Sequence, residues 1–471
     1  MIDELKPYPT YRDSGVSWLG QVPEHWELRS LGSITSTISH HGRPDLPLLS
    51  VVREKGVIPR STMSDEENHN FVPDDLSDYK IVREGNLVVN KMKAWQGSLG
   101  IAPMDGIVSP AYFVFDIRIG DRQFAQTLLR SKVYIPFFAQ ASDGVRIGQW
   151  ELSVVGMKRI PVVVPPTLEQ AGIVRYLDHA DWRVQHAIRA RQQLIKLLME
   201  QKQAIIQGAV TRGLDMLACL RSLGSAPDYR VNARWPIVRM SQICHIRCET
   251  GAPDLDLLSV FLDSGVIPYG KGRGQVHKPS LDLTRYQIVH CGDLVLNNQQ
   301  AWRGSVGVSQ YYGIISPAYV VMCLDESLDP HFADYLFRSD LMVDQYVTSS
   351  KGVGDIQRDV YIPWLKNARV PVPLIEEQRA ILTKLDHELA SINRELSACR
   401  DEIDLLREYR TRLIADVVTG KLDVRDAAAY LPDEPEEQPE PLDEEPADDA
   451  PDLESEEEGD GDLSEVESRD V

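Results

Sequence analysis

The sequence predicts an α+β protein made of two similar mixed α/β domains, separated by two long helices that pair as an antiparallel coiled coil and followed by a disordered acidic tail. Three observations predict it: a long internal repeat, two matching heptad seams, and a charge distribution that isolates the last 40 residues.

The segment from Leu76 to Tyr112 carries the same residue as the segment from Leu283 to Tyr319 at 19 of 37 positions with no gap. The offset is 207 there, 209 upstream (Trp26 and Trp235; Gly56-Val57-Ile58-Pro59 and Gly265-Val266-Ile267-Pro268) and 208 downstream (Glu169-Gln170 and Glu377-Gln378). A period near 208 is far above the roughly 20 to 50 residues of solenoids. It indicates a duplicated domain and internal pseudo-two-fold symmetry.

In each half, short strands are expected between turn signals: 46–52, 86–92 and 112–117 in the first, 255–261, 293–298 and 319–323 in the second. A helical stretch follows at 122–140 and at 330–347, then a proline-bounded strand at 160–164 and at 370–372. The domain limits read as 1–166 and 216–373 for the mixed domains, 167–215 and 374–425 for the long helices, and 426–471 for the tail.

The clearest periodicity is Leu382, Leu385, Leu389, Ile392, Leu396, Cys399, Ile403, Leu406, Arg410, Leu413 and Val417, spaced by alternating threes and fours. Subtracting 208 gives Val174, Leu177, Asp181, Val184, Ile188, Arg191, Ile195, Leu198, Lys202, Ile205 and Ala209, the same register with a few polar interruptions. About 45 residues at about 1.5 Å each make a rod of roughly 65 Å. A heptad seam of that length needs a partner, which the other helix supplies. The alternative is two separate helices, each lying on its own domain.

No run of 18 apolar residues occurs, and Met1 to Tyr11 has no apolar signal core, so a soluble cytoplasmic protein is expected. Six cysteines agree with a reducing compartment. Of the net charge of −21, residues 432–471 carry −19 from 20 acids and one Arg, so the body is close to neutral. With almost no large apolar residue, the tail is expected to be disordered; it reads as a solubilising segment or as a DNA-mimicking autoinhibitory arm.

Catalytic machinery is missing. The amino-methyltransferase motif Asn/Asp-Pro-Pro-Tyr/Phe is absent. The phosphate-loop near miss from Gly265 to Lys271 has Gly272 where Ser or Thr is required. Cys244-His245 with Cys248 lacks a second ligand pair, and its counterparts in the first half are Thr35 and Ser39. His40-His41 and His290-Cys291 have no counterparts and read as surface or packing residues. Neither a metal site nor a cofactor site is expected on this chain.

What recurs suits recognition. Asn90-Lys91-Met92-Lys93-Ala94-Trp95 corresponds to Asn297-Asn298-Gln299-Gln300-Ala301-Trp302, followed by Arg303 in the second half. One half offers lysines, which donate to guanine O6 and N7. The other offers Asn and Gln, which bond adenine N6 and N7. Solvent-facing variation at Lys91, Lys93, Asn298, Gln299 and Gln300, and a core role for Trp95 and Trp302, are the competing readings. Arg53, Lys55 and Arg60 in one half, with Lys271 and Arg273 in the other, are candidate phosphate contacts. So are Arg146 and Gln149, and Lys351 and Arg358, in glycine-containing loops whose backbone can approach a phosphate.

The opening from Tyr8 to Trp26 resembles the N-terminus of specificity subunits of type I restriction-modification enzymes. So do Asn-x-x-x-Ala-Trp-x-Gly-x-x-Gly and Ser-Pro-Ala-Tyr in each half, and the proline-rich entries Val164-Pro165 to Gln170 and Val370-Pro371 to Gln378. The resemblance covers about residues 1–425 and leaves the acidic tail unexplained. It implies that the two domains are target recognition domains, each reading half of an asymmetric bipartite sequence in double-stranded DNA. It implies that the helices set the spacer and dock two modification subunits, which bring S-adenosylmethionine and methylate adenine, and that restriction subunits join to cleave. The chain itself is then not an enzyme. The rivals are a dimerising scaffold that never reads DNA and a self-contained methyltransferase.

Overall fold

The computed structural model describes residues 5–53, 55–63, 72–73, 75–143, 150–215, 217–262, 264–271, 279–280, 282–353 and 357–432. The acidic tail, Arg146, Gln149 and Arg273 therefore lie outside the described residues. The chain divides into two compact units, residues 1–190 with 402–471, and residues 191–401. Each unit thus holds one mixed domain and part of each long helix.

In the first unit, an antiparallel sheet runs in the order Thr35–Ile38, Tyr112–Ile117, Leu87–Asn90, Leu99–Ile101. Side chains alternate across it. Val88 and Val114 join Leu49, Val51, Val57, Val82 and Val108 in a small apolar layer. Leu87, Val89 and Phe115 face the main core with Phe124, Leu128, Phe138 and Trp26. Burial on both faces explains why these central strands read as continuous apolar runs. Two hairpin-like pairs complete the small layer, Leu49–Val52 with Gly56–Pro59 and Lys80–Val82 with Gly106–Val108.

The second unit repeats the plan. Its sheet runs Cys244–Ile246, Tyr319–Leu324, Leu294–Asn297, Val306–Val308. Val295 and Val321 face a small layer with Leu258, Val260 and Val266, and Leu294, Leu296 and Met322 face the main core. A close backbone approach recurs: a Cβ on Gly100 would meet Val57 N at 3.0 Å, and one on Gly307 would meet Gly265 Cα at 2.8 Å. Glycine is therefore required at both positions to seat the neighbouring hairpin on the sheet.

The helical stretches expected at 122–140 and 330–347 are each made of two helices, Arg122–Arg130 with Ile135–Gln140 and Pro330–Phe337 with Asp340–Thr348. Serine ends the first helix of each pair. Ser131 and Ser339 leave the helical region at ψ 147° and 156°, and their hydroxyls donate to the carbonyls of Leu128 and Leu336. A periodicity scan does not register that local competition for backbone groups.

The long helices span Thr167–Arg212 and Ile375–Val418. Most of the expected seam is buried, including Leu177, Val184, Ile188, Leu198, Leu385, Leu389, Ile392, Leu396, Cys399, Ile403, Leu413 and Val417. Their segments pair within each unit, and in the second unit the contacts run antiparallel. In the first, Asp181 of one helix is paired with Arg410 of the other. In the second, Lys202 Nζ donates to Asn393 Oδ1 at 2.9 Å, and Gly213 lies against Glu377. The polar interruptions Asp181 and Arg410 thus satisfy each other. Ile173, Tyr176, Ile206, Val210, Ile381 and Val418 are buried outside the predicted seam, because the helix ends also pack on the mixed domains.

The N-terminal segment is fastened within the first unit. The Glu169 carboxylate, in the first turn of its helix, accepts from Tyr8 Oη at 2.7 Å and Trp26 Nε1 at 2.9 Å, and pairs with His25 Nε2 at 2.8 Å. No helix among the described residues is long and apolar enough to cross a membrane.

Candidate nucleic-acid interface

The repeated motif around each tryptophan folds as an elbow between two sheet strands. Asn90 ends its strand and its Oδ1 accepts from the backbone amides of Met92 (3.0 Å) and Lys93 (3.3 Å). Asn297 does the same for Gln299 at 3.1 Å. These side-chain bonds make the turn, which suits asparagine to the position. A short 3₁₀ turn follows, Ala94–Gln96 or Ala301–Arg303, and ends on a left-handed glycine, Gly97 at φ 93° or Gly304 at φ 95°.

The tryptophans expected either in the core or at the ligand are half-buried. Each indole N–H donates within its own elbow, Trp95 to the Met92 carbonyl at 3.0 Å and Trp302 to the Gln299 carbonyl at 2.9 Å. This fixes each ring as a flat support.

Against each elbow lies a hairpin that the sequence listing of loops did not separate out, Ser142–Asp143 with Glu151–Leu152 in one unit and Ser350–Val353 with Gln357–Val360 in the other. The same backbone bond ties hairpin to elbow in both: Leu152 N to the Lys91 carbonyl at 2.8 Å, and Val360 N to the Asn298 carbonyl at 3.0 Å.

Their side chains differ. In the first unit, Lys91 Nζ pairs with Glu151 at 3.2 Å, and Trp150 lies 5.4 Å from Trp95 between ring centroids. Lys80, not anticipated as a site residue, donates to the carbonyls of Pro110 (2.8 Å) and Tyr112 (2.6 Å). Burial, and then repulsion from Lys91, holds its ammonium below the usual lysine range. In the second unit, Arg303 and Arg358 both lie over Trp302, at 4.6 and 5.2 Å. Lys351 sits 3.2 Å over Tyr361 and 5.0 Å from Trp364, both exposed rings that sequence reasoning missed.

The structure thus gathers Asn90, Lys91, Lys93 and Trp95 on one elbow, and Asn297, Asn298, Gln299, Gln300, Trp302, Arg303, Lys351 and Arg358 on the other elbow and its hairpin. Lys93, Gln299, Gln300 and Arg303 are exposed. Arg53 and Lys55 are on a different element, the exposed turn of the hairpin on Gly100, where the Arg53 carbonyl accepts from Arg130 at 2.9 Å. Arg338 holds the Leu262 carbonyl in the same way at 3.1 Å. Arg60 begins the turn after that hairpin, beside Tyr112, and Lys271 is exposed beyond the equivalent strand. Among the described residues no group of three or more His, Cys, Asp or Glu is placed to hold a metal ion. Cys244 is buried in a strand while Cys248 is exposed.

The two units thus carry one platform with unlike side chains. The chain is 22% identical over 447 residues to the specificity subunit of the type I restriction enzyme MjaVIII from Methanocaldococcus jannaschii, covering 86% of this chain and 95% of that protein. The chain resembles a type I specificity subunit along most of its length. Among solved structures, one described as the structural basis of complex assembly and conformational transition of the type I R-M system matches with a TM-score of 0.58 and 17% identity, over 85% of this chain and 99% of that one. The HsdS subunit from Thermoanaerobacter tengcongensis matches over 85% of this chain and 98% of its own, at 16% identity and a TM-score of 0.44. No family model matches the chain. The fold expected from the repeat and the heptad seams is thus that of a solved type I R-M chain.

Proposed function

We propose that the chain is the DNA-recognition subunit of a type I restriction-modification complex and has no catalytic activity of its own. Each unit's elbow and hairpin reads one half of a bipartite target, and the paired long helices fix the distance between the halves. Two modification subunits dock on the chain and bring S-adenosylmethionine to adenine; restriction subunits complete the assembly, which works in the cytoplasm. The observation that carries this reading is the repeated platform, alike in backbone and unlike in side chains, in a chain similar to a specificity subunit over nearly its whole length. A scaffold that never reads DNA has no use for two differently furnished copies of one platform.

The test is methylome mapping with and without the gene, together with DNA binding by the purified chain–modification complex. A bipartite motif that disappears with the gene, and binding that falls linearly in log K against log salt, are the expected results. Methyl transfer by the pure chain alone, or a methylome indifferent to the gene, overturns the reading.

A further inference from the structure

The elbow tryptophans are the same in both units, but the residue lying on each is not. Strand register defines the correspondence: Ser142 pairs with Leu152 as Ser350 pairs with Val360, and Asp143 with Glu151 as Lys351 with Asp359. Two residues before Leu152 or Val360, Trp150 and Arg358 therefore hold equivalent positions. Trp150 lies on Trp95 at 5.4 Å, and the Arg358 guanidinium lies on Trp302 at 5.2 Å. Both are half-buried, and both lie two residues before the one whose backbone is bonded to the elbow.

Resting on the function proposed above, we infer that this position is a specificity-determining residue of each domain. Arg358 reads a guanine of the second half-site through O6 and N7, and Trp150 gives the first half-site an apolar contact of the kind a thymine methyl accepts. A guanidinium held against a ring keeps its planar fork oriented, so that two N–H groups can be offered together to one base edge. An indole whose neighbour is another indole offers area instead. Arg303 rests on the same ring as Arg358 but belongs to the elbow, at the position that Gln96 fills in the first unit.

The experiment uses the full chain assembled with its modification subunits, carrying Arg358→Lys, Trp150→Arg or Arg303→Lys. The readouts are the methylated motif and binding to an oligonucleotide panel at fixed salt. Arg358→Lys keeps the charge but loses the bidentate fork. Discrimination at one base pair of the second half-site is expected to fall about 5- to 150-fold. Continued methylation at an unaltered first half-site certifies that the variant folds. Trp150→Arg is expected to shift one position of the first half-site towards guanine and leave the second unchanged.

The assignment is overturned if Arg358→Lys weakens all sequences alike with the motif intact, the behaviour of a phosphate contact. It is also overturned if Arg303→Lys relaxes the motif and Arg358→Lys does not. A wild-type complex that recognises no bipartite site would refute the proposed function itself, an outcome separate from a wild-type motif that Arg358→Lys leaves intact.

Discussion

Glu169→Gln should destabilise the first unit far more than the equivalent Glu377→Gln destabilises the second. The Glu169 carboxylate is 6% exposed and faces two ring donors, Tyr8 Oη and Trp26 Nε1, and the ring nitrogen His25 Nε2, all within 2.9 Å. Burial, followed by the bond to Glu169 and its charge, raises the Tyr8 hydroxyl well above the usual tyrosine range, so it stays a donor. Glutamine has the same shape but presents an N–H₂ to these groups. Its single oxygen must serve both Tyr8 and Trp26 while the N–H₂ turns to His25 Nε2, and each of these contacts loses its charge assistance, at about 1 kcal/mol apiece. The sum is about 2–4 kcal/mol, and at about 2–4 °C per kcal/mol for a unit of this size the transition falls by roughly 5–15 °C. In the other unit, the Trp235 indole nitrogen is buried with no hydrogen-bond partner among the described residues. Glu377 therefore has less to lose, and its Gln variant should stay within about 1 kcal/mol of wild type. Differential scanning calorimetry of the full chain reads both. Equal shifts for the two variants, or none for Glu169→Gln, would refute the account of Glu169 as the acceptor that fastens the N-terminal segment.

Gly307→Ala puts a methyl 2.8 Å from the Gly265 backbone, where about 0.6 Å of retreat is needed to reach ordinary contact at 3.4 Å; a loss of about 1–3 kcal/mol should appear as a lower calorimetric transition, with Gly100→Ala doing the same in the first unit. Leu396→Ala in the buried seam should cost about 2–5 kcal/mol by urea unfolding, whereas Asp181→Asn at the partly exposed Asp181–Arg410 pair should cost no more than about 1 kcal/mol. Burial pushes the Cys244 thiol up to about 12 from an ordinary value of 9.0, so above pH 9 the unfolded chain ionises while the folded chain keeps its proton, and the stability this thiol contributes is lost as pH climbs towards 12. Iodoacetamide at pH 8 should accordingly label the exposed Cys219, Cys248 and Cys291 in the native protein and reach Cys244 and Cys399 only after unfolding.

The architecture was legible because its signals are long. A seam of 11 spaced positions and a repeat of 37 aligned residues survive local noise, and both correspond to buried or paired structure. Boundaries were less legible: the strand expected at 46–52 is Leu49–Val52, and each expected helical stretch is divided at a serine whose competing hydrogen bond has no period. The elbow could be found from shared residues, but its partner hairpin could not. Trp150 and Arg358 look unrelated in sequence, and only strand register places them at one position. The Oδ1 atoms of Asn90 and Asn297 form the turn that presents their neighbours, a role that residue type alone did not single out. The Lys91–Glu151 pair joins residues 60 apart, a separation that carries no local pattern.

The two backbone bonds that join elbow to hairpin, from Leu152 to Lys91 and from Val360 to Asn298, involve no side-chain atom. On the function proposed above, that separates inheritance of the platform from inheritance of its address. Substitutions at 91, 150, 298 or 358 leave the joining bond in place, and so do exchanges of an entire unit between lineages. A population that carries such a chain can then change which DNA it marks in one step.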